Sequence, residues 1–398
     1  MKTNYLFTGL MAGALLLASC EADDTADIVI NSTITNNDNS VTNPGPVEPG
    51  AEDIDLEGTF TSDLVLLSRN TYTLTGPVVM APGTKLTIPK GMTIKANNGA
   101  SVYIAISQGA QIDAQGTASE PIVLTSNADS PAAGDWGGLI ILGRAPINST
   151  SGGATSTSEI GNLPYGGSDA SDYSGVIKYV RIEYSGGAAD SSSENNGFSF
   201  YGVGNGTIVD HIQSFEGKDD GIEFFGGTVS ASYVSMVNNQ DDSVDWTEGF
   251  SGRLSNVYIK HGEKHDKGIE ADGFNSDIGN NSNPKFFSNP VVSNVSIVGQ
   301  GSTSGEAVRL RVGTKGEFTN ISITGFALGF QIVGDGADSP TGKGVLDGEL
   351  SVTDVTFTDV ATKLKNATTE TFGEAEFISG DGDGTGTDYA TWGSGWTK

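Results

Sequence analysis

Between Thr207 and Asp272 one pattern is written three times. Ile212 with Ser214, Val234 with Met236 and Val257 with Ile259 stand two apart, the spacing at which a strand turns two side chains to one face. The steps between these pairs are 22 and 23 residues. Ten to twelve residues after each pair comes a second couple: Ile222 with Phe224, Val244 with Trp246, then Ile269 with Ala271. Three residues before each pair stands another apolar residue, Val209, Ala231 or Leu254, and that offset recurs at Ile177/Val180, Val292/Val295, Phe318/Ile321 and Val352/Val355. Seven rungs share this grammar. A short period with two or three strands and glycine corners predicts a solenoid in which each coil stacks on the last, and the expected fold is an all-β, right-handed parallel β-helix. A propeller blade needs about 40 to 45 residues, and nothing of that length repeats.

Composition enters where the solenoid needs it. Glycine accounts for 56 of 398 residues and only 36% of the chain is hydrophobic, which suits many tight corners around a thin core and argues against long helices. The formal charge is −28, so nucleic acid is not expected as a partner, because phosphate binding needs clustered Lys and Arg. Two causes of the acidity stand side by side: solubility outside the cell or bound divalent cations.

Residues 1–19 carry Lys2 and an apolar run from Leu6 to Leu17 that is too short to span a bilayer. They lead into Leu17-Ala18-Ser19-Cys20, which resembles a bacterial lipoprotein signal whose cysteine becomes the lipidated first residue. Cys20 is the only cysteine, so with it modified no thiol remains for disulfide, zinc or nucleophile chemistry. The expected membrane-lipid partner is held through acyl chains on Cys20. Residues 20–53 begin Cys20-Glu21-Ala22-Asp23-Asp24 and turn Asn-, Thr- and Pro-rich, reading as a flexible stalk. The acidic start resembles the export signal of lipoproteins displayed outside the outer membrane. Residues 54–398 are expected to form a single β-helix domain.

Within that domain, runs such as Lys85-Leu86-Thr87-Ile88 alternate between Pro-Gly, Lys-Gly and Asn-Gly corners and read as the first coils. Ile112 to Ser126 reads as a coil boundary, and Asp135-Trp136-Gly137-Gly138 leads into Leu139-Ile140-Ile141-Leu142, a buried strand. Two stretches leave the solenoid, near 145–174 and 275–289. Asp381-Gly382-Asp383-Gly384-Thr385-Gly386-Thr387-Asp388 alternates oxygen ligands but lacks the later Glu of a calcium loop, and reads as a glycine-rich turn.

Aligning the rungs puts Glu223, Asp245 and Glu270 in one column, with Arg309 next, and Asp219/Asp220, Asp241/Asp242 and Asp266 in the adjoining corner. Stacked strands lie about 4.8 Å apart. Two full charges at that distance repel by about 3 to 4 kcal/mol at an effective dielectric near 20 and by about 1 kcal/mol in water. Solvent, Lys218, Lys267 or Arg309 are candidate compensators, and so is Ca2+, for which carboxylate oxygens are suitable hard ligands. Asp219, Asp220, Glu223, Asp241, Asp242, Asp245, Asp266 and Glu270 are therefore the candidate metal ligands. The candidate catalytic residues are Asp219, Asp241, Asp242, His261, Arg309 and Arg311. Their succession loosely resembles the polygalacturonase type of β-helix hydrolase, although neither an Asn-Thr-Asp nor a Gly-His-Gly is present. His261 and His265 flank a charged corner and are expected to be exposed. His211 is expected in a ladder with Tyr179 and Tyr233, and Trp246 in the core. Trp136, Trp392, Trp396, Tyr184 and Phe225 are open as ligand contacts.

Asp219-Asp220-Gly221-Ile222-Glu223-Phe224-Phe225-Gly226-Gly227-Thr228-Val229, with Asp241-Asp242-Ser243-Val244-Asp245-Trp246, Gly249-Phe250-Ser251-Gly252 and Asp135-Trp136-Gly137-Gly138, resembles a family of Bacteroidota surface lipoproteins. That resemblance implies a pectin-lyase-like β-helix in the outer membrane, lipid-anchored at the cell surface and accessory to a TonB-dependent receptor. It supplies no substrate and no catalytic residue. The leading expectation is a protein that binds a glycan or another nutrient, with calcium in the acidic rungs. A polysaccharide lyase or glycoside hydrolase on the same face is the alternative, and a structural adhesin the third.

Overall fold

The offset of three between inward residues needs explaining, because two residues three apart on a regular strand face opposite ways. In the strand Ile208–Phe215 both Val209 and Ile212 are buried. Between them His211 takes a left-handed backbone with φ of 54°, which reverses the alternation and turns the chain from one wall of the coil to the next. The same turning residue recurs at each rung as Tyr179, Tyr233, Asn256, Asn294, Asn320 and Asp354, all with φ between 49° and 58°. A non-glycine residue in this region costs about 1 to 3 kcal/mol. The column offsets part of that cost by stacking. The rings of Tyr179, His211 and Tyr233 lie 4.2 Å apart in succession, and Asn320 Nδ2 donates to Asn294 Oδ1 at 2.8 Å.

The computed structural model describes residues 50–149, 154–188, 194–274, 286–334 and 339–398. Residues 1–19, Cys20 and most of the stalk lie outside them. Residues Gly50–Lys398 make one unit, built on a sheet of 22 strands wound into coils. Among the described residues every strand pairing within that sheet is parallel, and successive coils align as the spacing predicts: Ile212 pairs with Val234, Val234 with Val257, Val257 with Val295 and Val295 with Ile321. The protein is thus a parallel β-helix. Its core is a continuous column from Leu56 to Phe377, with Phe200, Phe224 and Phe250 stacked at 5.4 and 4.3 Å. Among the described residues helix is confined to Thr341–Leu346, Glu374–Phe377 and Tyr389–Trp392. Phe377, on the second of these, is buried over the last coil.

Two sequence expectations are corrected by the structure. Trp136, Trp396 and Phe225 are buried and cannot serve as ligand contacts; the Trp136 indole donates to Glu183 O at 2.8 Å. Asp381 to Asp388 is no turn but the start of an extended strap that returns along the outside of the coils. Asp381 N–H donates to Asp354 Oδ1, Thr385 N–H to Asn320 Oδ1 and Thr387 N–H to Ser296 Oγ, at 2.9, 2.7 and 3.0 Å. Farther along, Tyr389 stacks on Tyr258 at 3.7 Å and Lys398 N–H reaches Gln213 Oε1 at 2.8 Å. Glycine is required because the strap lies directly on the solenoid backbone: a Cβ on Gly384 would sit 2.2 Å from Asp354 O. The described part of the excursion at 145–174 has structure of its own. It returns as an antiparallel hairpin, Thr155–Thr157 with Pro164–Gly166, and seals a small second core outside the sheet where Ile147 and Tyr165 meet Tyr201 and Phe225. Residues 275–285 of the other excursion lie outside the described part; Ser288, just beyond, ties back to Asp272 O at 2.6 Å.

Candidate cation and ligand cleft

On the strand Val244–Thr247 the side chains of Val244 and Trp246 enter the core, so alternation sends Asp245 outward. The neighbouring rungs repeat this, and the strand register places Ser199, Glu223, Asp245, Glu270, Arg309, Gln331 and Lys365 in one outward column. The corner before each strand carries two more columns. Asn196, Asp220, Asp242 and Lys267 follow one another in the first, as Gly197, Gly221 and Ser243 each donate to the carbonyl of that column's next residue at 2.8, 3.0 and 3.1 Å. Asp219, Asp241 and Asp266 occupy the second. The Asp-Asp corners have a local cause: Asp220 Oδ1 accepts the N–H of Asp242 at 2.9 Å, and Asp242 Oδ1 that of Lys267 at 2.6 Å. Each buried aspartate thereby caps the next coil.

These columns floor a cleft of about 690 Å³. The hairpin supplies one wall through Glu159 and Asn162, and the turn before Phe198 supplies Glu194 and Asn196. All eight acidic residues expected as metal ligands line it, and with Glu159 and Glu194 the described lining holds ten carboxylates and one cation, Lys267. Glu159, Glu194 and Asn196 were not visible as site residues in the sequence because they lie in stretches without periodicity; the length of the excursion at 145–174 was a signal for Glu159 alone.

The electrostatics follow from crowding. Burial, then Glu194 and Asp241, pushes Asp219 up to about 8. Asp220, Glu223, Asp242 and Asp245 are likewise raised well above the carboxylate range, burial first and neighbouring carboxylates second. Burial pulls the Lys267 ammonium down, but Asp242, Asp266 and Glu270 outweigh it and the net shift is upward. Lys267 Nζ lies 2.5 Å from Asp266 Oδ2, 2.9 Å from Glu270 Oε1 and 3.8 Å from Asp242 Oδ2. Asn196 Nδ2 donates to Glu223 Oε2 at 2.7 Å. Asp245 Oδ1 is shut off from solvent and has no hydrogen-bond donor. Four sets of three carboxylates bring one oxygen each within 4.8 Å of one another, the spacing of a cation's ligand shell: Asp219-Asp220-Asp241, Asp220-Glu223-Asp245, Asp241-Asp242-Asp266 and Asp242-Asp245-Glu270.

The other candidates fall elsewhere. Arg311 is ion-paired with Glu270 and Asp272 at 2.7 and 2.6 Å, and Arg309 Nη1 lies 4.0 Å from Glu270, so both guanidiniums close the end of the acidic column. His261 is outside the cleft and only 1% exposed, against the expectation of an exposed corner histidine. Its ring stacks on His265 at 4.3 Å with Phe326 edge-on at 5.1 Å, and burial, then His265, lowers it to about 4. Lys218 does not line the cleft.

The family described as a pectate-lyase like beta helix domain matches residues 58–397. The chain belongs to that family. This pectate-lyase like domain also matches solved structures. One is the catalytic unit of a thermostable GH87 α-1,3-glucanase from Streptomyces thermodiastaticus strain HF3-3, with 11% identity, 84% of this chain and 62% of that chain covered, and a TM-score of 0.35. Another is a GH87 α-1,3-glucanase catalytic domain in complex with nigerose, at 12% identity, 83% and 64% coverage and a TM-score of 0.29. A hyper-glycosylated TibA fragment matches at 14% identity, with 83% of this chain and 100% of that chain covered and a TM-score of 0.22. The pectate-lyase like domain spans under two thirds of either glucanase chain. No curated protein matches it.

Proposed function

We propose that this protein binds a glycan or a similarly hydroxyl-rich nutrient in the acidic cleft, with Ca2+ as the bridge. The observation that carries the reading is the lining itself: among the described residues, ten carboxylates around one lysine, several of them buried. Left fully ionised, such a cluster repels itself by several kcal/mol. A calcium ion takes six to eight oxygens. Three carboxylates leave coordination positions that sugar hydroxyls can fill. Glycosidic cleavage by the same carboxylates is a second reading, favoured by Asp219, which at about 8 stays protonated at neutral pH as a general acid must. Binding takes precedence because four sets of three carboxylates each bring their oxygens within 4.8 Å of one another, the spacing of a cation's ligand shell.

The test is a melting curve of the chain carrying Cys20→Ser, in chelator and across micromolar to millimolar calcium, followed by a glycan array at saturation. A saturable rise of about 2.7 kcal/mol at a hundred times the dissociation constant is expected, together with calcium-dependent glycan capture. No shift at any calcium concentration sinks the cation. A shift without glycan capture leaves the structural adhesin. Release of reducing or unsaturated ends favours a hydrolase or a lyase.

The reading extends to location. We place the protein in the outer membrane, held by lipid on Cys20 and facing outward beside a TonB-dependent receptor, on the strength of Leu17-Ala18-Ser19-Cys20 and the acidic residues after it. Cys20→Ser is expected to move the protein from the detergent phase to the aqueous phase in Triton X-114 partitioning. Retention in the detergent phase would refute the anchor.

A further inference from the structure

Two of the carboxylate triads are one triad repeated. Asp220 aligns over Asp242, Glu223 over Asp245 and Asp245 over Glu270, so Asp242-Asp245-Glu270 is Asp220-Glu223-Asp245 moved along the axis by one coil. Equal geometry predicts equal ligands unless something distinguishes the two places. One residue does. The column that reads Asp220 and Asp242 continues not with a third aspartate but with Lys267. Its ammonium contacts two of the three members of the second triad, Glu270 at 2.9 Å and Asp242 at 3.8 Å. Among the described residues no Lys, Arg or His lies within 4.0 Å of a carboxylate of Asp220, Glu223 or Asp245. Asp220 is only 7% exposed, and Asp245, which the two triads share, holds a shielded oxygen, Oδ1, with no hydrogen-bond donor among the described residues, so the ammonium of Lys267 is what sets the two places apart. At the other end of the row the amide of Asn196 stands in the same column and satisfies Glu223 from outside the triad.

We infer that the cleft takes one tight divalent cation, in Asp220-Glu223-Asp245, and that Lys267 fills the equivalent place one coil on as a built-in cation. This rests on the cation reading given above and adds where the ion goes and why the row stops at one. A tethered ammonium needs no capture from solution, and its charge repels a second ion from the adjoining triad. Neither outer triad holds an oxygen that is both shut off from solvent and without a partner, as Asp245 Oδ1 is, and one of them includes exposed Asp266, where water competes for the ligand oxygens. Because Asp220 and Asp245 shield the first triad while Lys267 occupies the second, a ligand that completes the ion's coordination meets it at the Asn196 end of the cleft, between Glu159 and Glu194.

Titration calorimetry with CaCl2 on the Cys20→Ser chain decides it. The expected stoichiometry is one tight ion, rising to two in Lys267→Met and remaining one in Lys267→Arg. Asp220→Asn is expected to weaken the tight site by about tenfold or more, since affinity follows ligand charge count, while Asp242→Asn leaves it in place; this pair keeps the test decisive if Lys267→Met does not fold. One ion in both the parent and Lys267→Met overturns the inference while leaving the cation reading intact. So do two ions in the parent, or loss of the site in Asp242→Asn but not in Asp220→Asn. No calcium bound by any of these proteins overturns the cation reading itself.

Discussion

In chelator, the melting temperature is expected to fall as the pH rises from 5 to 8, and saturating calcium is expected to remove most of that fall. Asp219 titrates near 8 in the folded protein, against about 3.9 in an unfolded chain. Between those values the folded state binds the extra proton, so stability drops with rising pH, by at most about 1.4 kcal/mol per pH unit for one group. Below the lower value both states are protonated and the penalty vanishes; above 8 it is complete. Asp220, Glu223, Asp242 and Asp245 are raised for the same reason and act in the same direction. His261 opposes them. Its folded value of about 4 lies below the unfolded one near 6.5, so its contribution is present above that range and is lost as the pH falls through it. One histidine against several carboxylates leaves the acidic cleft in control. Scanning calorimetry at four pH values, with and without calcium, checks it. A melting temperature that climbs or stays level with pH in chelator would show that the cleft's charges are already balanced within the chain.

The coil was legible because its signal is periodic. Ile212, Val234 and Val257 recur at the coil length, and the offset of three at Val209/Ile212 already encoded the left-handed corner at His211, although only the backbone shows why an odd offset keeps both residues inside. The acidic column was legible for the same reason, since parallel stacking turns equal positions in the period into neighbours in space. What lay between the periodic stretches was not. Glu159 reaches the cleft from an excursion whose hairpin docks where Tyr165 meets Tyr201 and Phe225 outside the sheet, a contact between residues far apart in the chain, and Glu194 reaches it from the aperiodic turn before Phe198. His261 was misread because its burial comes from Phe326, several coils' worth of sequence away. The strap was misread because glycine-rich sequence serves a tight turn and a close backbone approach equally well.

The sharpest expected contrast comes from two adjacent residues on one strand. Trp246→Ala should cost about 3 to 5 kcal/mol, the range for removing a large buried aromatic, because Trp246 is fully buried and its indole donates to the buried Thr314 Oγ1 at 3.2 Å. Its calcium increment should be unchanged, since the side chain points away from the cleft. Asp245→Asn should do the reverse. Removing a charge that burial and the carboxylates of Glu223 and Glu270 disfavour should leave the chelated protein as stable as the parent or more so, while the calcium increment disappears. Denaturant unfolding of both variants, with and without calcium, reads the two quantities separately. Equal losses in chelator would mean that Asp245 is a structural residue of the coil. Loss of the calcium increment in a folded Trp246→Ala protein would mean that the inside of the coil sets the ion site. The expected double dissociation follows from the period of two along a strand: one face of Val244–Thr247 holds the solenoid together, and the other is free to carry charge that the fold itself does not need.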